Sequence, residues 1–315
     1  MIRKGVGRMR VEKRKGKSSL LTINGITKST TEWAKETGVD VQTIGRRIRE
    51  GWTEENLFQE VKPAPRYAFN EKYFDTIDDE HKAYWLGFIW CDGYMAIRNR
   101  KNRKSTSYEF KLTLKEEDYG HLEKFNQALG GSYKINYYNM SSGFVSGRRE
   151  ARLLITNQHF GKTLVEKYGL IPNRKDCTKI INGIPDSLMK HFIRGAIDAD
   201  GSISQYDHIE TRFDKNYLTN KITVSIGGHF DLLKHIEKHL VNNGVIGEFD
   251  RKVNRRHDED GRDGEYRSLQ LSGKIQGLKI LHYIYDDATV YLDRKYEKFL
   301  SIVKKLEGLD EVQAV

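Results

Sequence analysis

The chain predicts an α+β fold: an αββαββα domain written twice, with pseudo-two-fold symmetry and antiparallel sheets, preceded by a small helix-turn-helix-like module. Three observations carry that expectation. Two short apolar segments, WLGFIWCDG (Trp85–Gly93) and IRGAIDADG (Ile193–Gly201), each end on Asp-Gly. After each of them, strand-like runs and an amphipathic helix recur in the same order. Near the N-terminus, two capped helical stretches meet at a glycine. A length of 315 residues is enough for two domains and a sizeable core.

Composition narrows the class. The formal net charge of +10 favours a polyanionic partner, and nucleic acid is the commonest one. Cys91 and Cys177 are the only cysteines, too few for a disulfide framework and without zinc-finger neighbours, so a reducing compartment is expected. No run of about 18 apolar residues occurs, so no membrane span is expected. The basic first residues lack an apolar core and do not read as a secretory signal. A cytoplasmic location follows as the expectation, with an organelle left open.

Residues 1–17 hold Arg3, Lys4, Arg8, Arg10, Lys13, Arg14, Lys15 and Lys17 against one acid, Glu12, which reads as a basic flexible arm. Residues 18–62 read as the small module. Ser29 and Glu32 form a capping box, and Gly38 ends the first helix. Asp40 caps a second helix with Val41, Ile44 and Ile48 on one face and Arg46, Arg47 and Arg49 on the other. Helix, glycine turn and basic helix make a helix-turn-helix pattern, although a hairpin that only packs on its neighbour would look alike. Pro63 and Pro65 mark a linker over 63–70.

The repeat occupies a first half, 71–183, and a second, 184–310. Strand-like runs in the first half are Tyr108–Leu114, Ser132–Tyr138 and Arg152–Thr156. Those in the second are Lys221–Ile226, Val245–Val253 and Tyr266–Leu271. Amphipathic helices are expected over His121–Leu129 and Phe230–Val241. Each half closes on a basic segment, PNRKD at 172–176 and LDRKY at 292–296.

The two motif helices carry the chemistry. A carboxylate at a helix C-terminus meets the negative end of the macrodipole, at a cost of about 0.3–1 kcal/mol. Its occurrence at both ends implies a positive group there, with a pair of hard metal ions as the natural candidate. Gly87 and Cys91 are four apart, as are Gly195 and Ala199, so each helix has a small-residue stripe through which backbones can approach. Packing through those stripes brings Asp92 and Asp200 together, and metal relieves their repulsion. Gly93 and Gly201 are expected at positive φ, turning the chain into a strand.

This arrangement resembles the LAGLIDADG homing endonuclease family in its monomeric, two-motif form, over residues ~70 to 310. IRGAIDADG keeps both acids, Asp198 and Asp200, whereas Trp90 replaces the inner acid of the first motif. The stretch Ile26–Leu57 resembles a small DNA-binding repeat appended to many phage and bacterial homing endonucleases. The resemblance implies site-specific hydrolysis of both strands of a long asymmetric DNA target, with short 3′ overhangs and an origin that is intron-encoded or else free-standing. It implies that Asp92 and Asp200 hold Mg²⁺ or Mn²⁺, with the carbonyls of Cys91 and Ala199 as accessory ligands. Ca²⁺ is expected to bind without supporting cleavage. A basic residue near each site is also implied. Matching the closing segments selects Lys175 and Lys295 as catalytic, with Arg174 and Arg294 beside them as substitutes.

Alternating strands leave one sheet face for DNA. Candidates there are Arg98, Arg100, Lys111, Lys134, Asn136 and Tyr138 in the first half. Ser204, Arg212, Lys221, Arg251, Asn254, Arg256, Arg267 and Gln270 are those of the second. Arg46, Arg47 and Arg49 would add contacts from the N-terminal module. The expected partner is double-stranded DNA, bound by a monomer. The alternatives on the same fold are an RNA maturase acting on an intron and a non-cleaving DNA-binding regulator.

Overall fold

The structure, a computed structural model, describes residues 10–12, 19–59, 67–99, 106–139, 149–172, 175–247, 252–254 and 266–313. The chain divides into two units, Met1–Arg66 and Tyr67–Val315.

In the first unit, strands β1 (Arg10–Glu12), β2 (Leu20–Ile23) and β3 (Ile26–Ser29) form an antiparallel sheet in that order. Helices α1 (Thr30–Thr37), α2 (Val41–Arg49) and α3 (Glu54–Leu57) follow. The sheet was not foreseen, although Asn24-Gly25 between alternating residues is a strong hairpin signal. Their φ angles of 49° and 79° suit a two-residue primed turn. Arg10–Glu12, expected within a flexible arm, pairs with Leu20–Thr22 instead. The rest of residues 1–17, except the arm's Arg10–Glu12 strand, lies outside the described residues.

The helix caps follow local chemistry. Glu32 N donates to Ser29 Oγ at 3.2 Å, and Ser29 N donates to Glu32 Oε2 at 2.7 Å. Gly38, at φ 72°, ends α1, and Asp40 accepts from Gln42 N at 2.8 Å to open α2. Leu21, Ile23, Trp33, Val39, Ile44 and Leu57 make the core. Arg47 corrects the expected basic face, because it is buried. Its Nη1 donates to the carbonyls of Leu57 (2.7 Å) and Gln59 (2.9 Å), and its guanidinium lies 4.6 Å from the Trp52 ring. Leu57 ends the short helix α3 and Gln59 follows its C-cap, so these carbonyls need a partner from outside the helix, which Arg47 supplies. Arg46 and Arg49 remain exposed.

The second unit runs α4 (Glu80–Asp92), β4 (Gly93–Asn99), β5 (Thr106–Lys115), α5 (Tyr119–Ala128), β6 (Asn136–Asn139), β7 (Arg149–Thr156), α6 (Gln158–Glu166) and α7 (Cys177–Gly183). It continues with α8 (Met189–Asp200), β8 (Ser202–Arg212), β9 (Lys215–His229), α9 (Phe230–Asn242), β10 (Lys252–Asn254), β11 (Tyr266–Ser272), α10 (Lys274–Tyr285) and α11 (Asp293–Gln313). Two four-stranded antiparallel sheets result, ordered β4-β5-β7-β6 and β8-β9-β11-β10. The fold is α+β, and helix, two strands, helix, two strands, helix occurs in both stretches. One continuous apolar core runs through the unit, with α4 and α8 in it.

Several boundaries differ from expectation; the strand expected over Ser132–Tyr138, for one, begins only at Asn136. Residues 67–70, read as linker, pack along the first sheet's helix: Asn70 N donates to Leu129 O at 2.8 Å and Ser132 N to Ala68 O at 3.2 Å. Of the expected strand Val245–Val253, Lys252 and Val253 lie in β10, and residues 248–251 lie outside the described residues. Val245 and Ile246 are buried where α9 ends, and Val245 N donates to Leu240 O at 2.9 Å. The hairpin of β8 and β9 is longer than its apolar run, because pairing continues through exposed residues to Arg212 and Lys215.

Candidate active site

Helices α4 and α8 touch backbone to backbone. A Cβ on Gly87 would lie 2.2 Å from Phe192 O, and one on Gly195 would lie 2.0 Å from Tyr84 O. The two contacts are reciprocal, since each glycine faces the other helix one turn before that helix's own glycine. Asp92 and Asp200 each stand five residues further on, about 7.5 Å along the axis. Cys91 and Ala199 lie one turn beyond the glycines and are partly buried.

Gly93 and Gly201 correct an expectation. Their φ angles are −74° and −84°, ordinary extended backbone. Glycine is needed there for space: a Cβ would meet Ile89 O at 2.3 Å at Gly93 and Ile197 O at 2.6 Å at Gly201. The chain folds back so sharply onto its own helix end that no side chain fits.

Both helix ends carry a lysine. Lys175 Nζ donates to Trp90 O and to Cys91 O, the latter at 2.9 Å. Lys295 Nζ donates to Ile197 O at 2.5 Å and Gly201 O at 2.7 Å. Each ammonium thus satisfies terminal carbonyls and offsets the dipole where an aspartate adds negative charge. Lys175 immediately precedes the N-cap of α7, Asp176, and Lys295 is in the first turn of α11.

The charges feel one another. Burial, then the nearby Asp200 carboxylate, push the Asp92 carboxyl up to about 6, against the opposing pull of Lys295 and Lys175. Burial draws Lys295 down to about 8 and Lys175 down as well, while both aspartates act in the opposite sense. The Cys91 thiol is pushed up to about 12 by burial, so it stays protonated and unreactive. Two aspartates and two lysines therefore form one electrostatic cluster at the joint C-terminal end of α4 and α8.

A buried polar network fixes this end. Asp198 accepts from Tyr84 OH (2.8 Å), Tyr285 OH (2.5 Å) and Leu292 N (2.8 Å), linking α8 to α4, α10 and the start of α11. Burial raises its carboxyl, while the three donors act against that. Because Tyr84 gives its proton to Asp198, its oxygen accepts from His121 Nε2 at 3.0 Å, and burial holds His121 down to about 3, hence neutral. The equivalent position of α4 holds Trp90, also buried.

Arg194 was missed by sequence reading. It is fully buried and donates to Val290 O, Ile284 O (both 2.9 Å) and Glu80 Oε1 (2.6 Å). Its signal, a lone arginine in an apolar motif helix, was visible. Arg294 pairs with Asp118 through Nε at 3.0 Å, tying α11 to the first sheet's helix layer. Of the histidines around α9, His229 caps the helix, and buried His239 bonds Asp186 and Tyr283.

The sheets' open faces hold Arg98, Lys111, Asn136 and Tyr138 in the first half, and Ser204, Lys221 and Gln270 in the second, by strand parity. Lys134 is exposed in the loop before β6. Arg98 and Lys111 both pair with Glu109, at 3.1 and 3.0 Å. Arg267 corrects the list, because it shares parity with buried Leu269 and Leu271 and so belongs to the helix-covered face. Arg212 lies in β8 opposite Lys215, and Asn254 lies in β10 opposite Ser268. Arg100, Arg174, Arg251 and Arg256 lie outside the described residues.

Among the described residues, no three His, Cys, Asp or Glu side chains gather into a ready-made metal cage. The donors present are hard: two carboxylates and helix-end carbonyls. The Cys91 carbonyl already accepts from Lys175, leaving one lone pair. Such a set fits an ion that keeps waters and takes further oxygens from a phosphate, as Mg²⁺ does.

No protein-family model matches the chain, and no curated protein does. Solved structures do match. One is the LAGLIDADG meganuclease I-AabMI bound to uncleaved DNA, 15% identical, covering 74% of this chain and 92% of that one, with a TM-score of 0.47. Another is the I-SmaMI LAGLIDADG homing endonuclease bound to cleaved DNA, 16% identical, covering 76% and 96%, with a TM-score of 0.46. I-SmaMI bound to uncleaved DNA with calcium ions is 17% identical, covering 76% and 97%, with a TM-score of 0.43. At this level the likeness assigns no residue a role.

Proposed function

We propose that the unit from residue 67 onward is a site-specific, divalent-metal-dependent endonuclease that hydrolyses one phosphodiester in each strand of a long, asymmetric DNA target. The observation that carries this reading is the pair Asp92 and Asp200. They end two helices in backbone contact, where burial first and the Asp200 carboxylate second raise Asp92 to about 6. A protein that only binds a polyanion gains nothing from two acids held near one another at the ends of packed helices.

Asp92 and Asp200 would hold Mg²⁺ or Mn²⁺, with the Ala199 carbonyl and the free lone pair of Cys91 O within reach of the same ions. Bound metal supplies an activated water and stabilises charge on the leaving oxygen. Lys175 and Lys295 keep the helix ends in place and add positive charge beside the scissile phosphates. One acid and one lysine at each helix end suit one cut per strand. The open faces of the two sheets would bind the duplex on either side of the cut, with Arg46 and Arg49 adding contacts from the N-terminal unit. An origin in a mobile intron, with short 3′ overhangs, fits this reading.

The test is incubation with genomic DNA in Mg²⁺, followed by mapping of new ends. Defined double-strand ends that vanish with EDTA, and with Asp200→Asn while duplex binding persists, support the proposal. Full-rate cutting by Asp200→Asn would remove the metal assignment. Stimulated splicing of an intron RNA without DNA cuts would move the fold to the maturase reading.

A further inference from the structure

The two sheets differ at the rung closest to the acids. In the first, Tyr94 pairs with Lys111, and Lys111 pairs with Leu154. Their neighbours Gly93, Leu112 and Leu153 are buried, so the two-residue period turns Tyr94, Lys111 and Leu154 to the open face. Tyr94 is 48% exposed and Leu154 37%, although β7 is an interior strand where a small polar residue would do. The matching rung of the second sheet is Ser202, Ser225 and Gln270. The first rung is apolar with one cation, and the second is wholly polar.

The surroundings of Leu154 suit a polyanion. Lys111 Nζ lies 5.7 Å from the Tyr94 ring and 3.0 Å from Glu109. Arg152, the next open-face residue on β7, lies 4.3 Å from the Tyr138 ring. Cations therefore frame the apolar spot, and Tyr94 is two residues from Asp92. A leucine bonds neither phosphate nor a base edge. The one apolar group that a major groove offers it is the C5-methyl of thymine.

We propose that Leu154, backed by Tyr94, reads a thymine methyl in the half-site next to α4, whereas the Ser202–Ser225–Gln270 rung reads the other half-site by hydrogen bonds. This rests on the proposed binding of duplex DNA. Two residues along a strand and two strands across place Leu154 within about 12 Å of Asp92, or about four base pairs from the cut at 3.4 Å each.

The probe is a pool of duplexes selected from a random library by the full chain in Ca²⁺, then single dT→dU replacements in a selected duplex, which remove only the methyl. Thymine should be enriched at one position within about four base pairs of the centre, on one side only. Replacement by dU there should weaken binding about fourfold, one buried methyl's worth. Leu154→Ala should bind the dT and dU duplexes equally. Leu154 is exposed, so the variant folds, as unchanged binding to a dU duplex would verify. A pool without thymine at that position, or a dU penalty that persists in Leu154→Ala, overturns the assignment while leaving DNA binding intact. Failure to select any duplex overturns both readings.

Discussion

Replacing Gly195 by alanine probes the contact on which the site depends. On helix propensity alone, the change should stabilise α8 by about 1 kcal/mol. The new Cβ, however, would lie 2.0 Å from Tyr84 O and 2.9 Å from Phe88 N, both backbone atoms of α4. That is about 1.5 Å short of an ordinary contact. A backbone oxygen cannot swing aside, so the helices must part by roughly 1 Å. Such a gap forfeits a quarter to a half of each facing dispersion contact, and overpacking of this kind costs about 1–3 kcal/mol or more. A clash with backbone puts the cost at the top of that range, and setting the propensity gain against it leaves a net loss of about 2 kcal/mol, or about 4–8 °C in Tm for a unit of this size. Gly45→Ala is the control: its Cβ would meet only the mobile Arg49 Nη1 at 3.8 Å, so it should stabilise its helix. Thermal unfolding in EDTA, followed by circular dichroism, measures both. If Gly195→Ala melts at or above the wild-type temperature, α4 and α8 are not in backbone contact, and the convergence of Asp92 and Asp200 goes with it.

Three further outcomes are expected. Asp92 has a folded pKa near 6 against an ordinary 3.8, so the metal-free protein holds that proton more tightly when folded. This contribution is full below about pH 4 and is lost as pH rises through 6. Asp92→Asn should therefore raise Tm in EDTA at pH 8, flatten its pH dependence and abolish the Tm gain from Mg²⁺; an unchanged pH profile counts against the raised carboxyl. Asp198→Ala should cost on the order of 3 kcal/mol by stranding Tyr84 OH, Tyr285 OH and Leu292 N, with Tyr285→Phe costing about 1 kcal/mol in the same denaturant titration. Arg47→Ala should open the N-terminal unit to proteolysis by exposing its core, whereas Arg46→Ala leaves cleavage by protease unchanged and lowers the salt dependence of DNA binding.

The legible parts of this molecule were those ruled by local chemistry. Ser29, Gly38 and Asp40 cap helices as their side chains and backbone freedom require, and the element order after each Asp-Gly helix follows from apolar period. The Asn24-Gly25 hairpin is equally legible, since a two-residue turn of that composition between alternating residues favours a primed turn. Arg47 and Arg267 were misjudged for one reason. A positive charge in the sequence reads as surface, but burial depends on which carbonyls and which sheet face a side chain meets. Gly93 and Gly201 show the same limit, since crowding by a helix's own carbonyl cannot be told from a need for positive φ in one dimension.

By itself the sequence determined which residues the site has to work with: paired Asp-Gly helix ends, glycines one turn apart from small residues, and a basic closing segment in each half. Only the tertiary structure decided what stands opposite what. It set Gly87 against Phe192 and Gly195 against Tyr84, brought Lys175 and Lys295 onto the two helix ends, and put Leu154 on the open face of the first sheet, in the same rung as Tyr94 and Lys111. Spacing along a chain controls which face a residue shares, whereas partners across the core are set by packing between segments about a hundred residues apart.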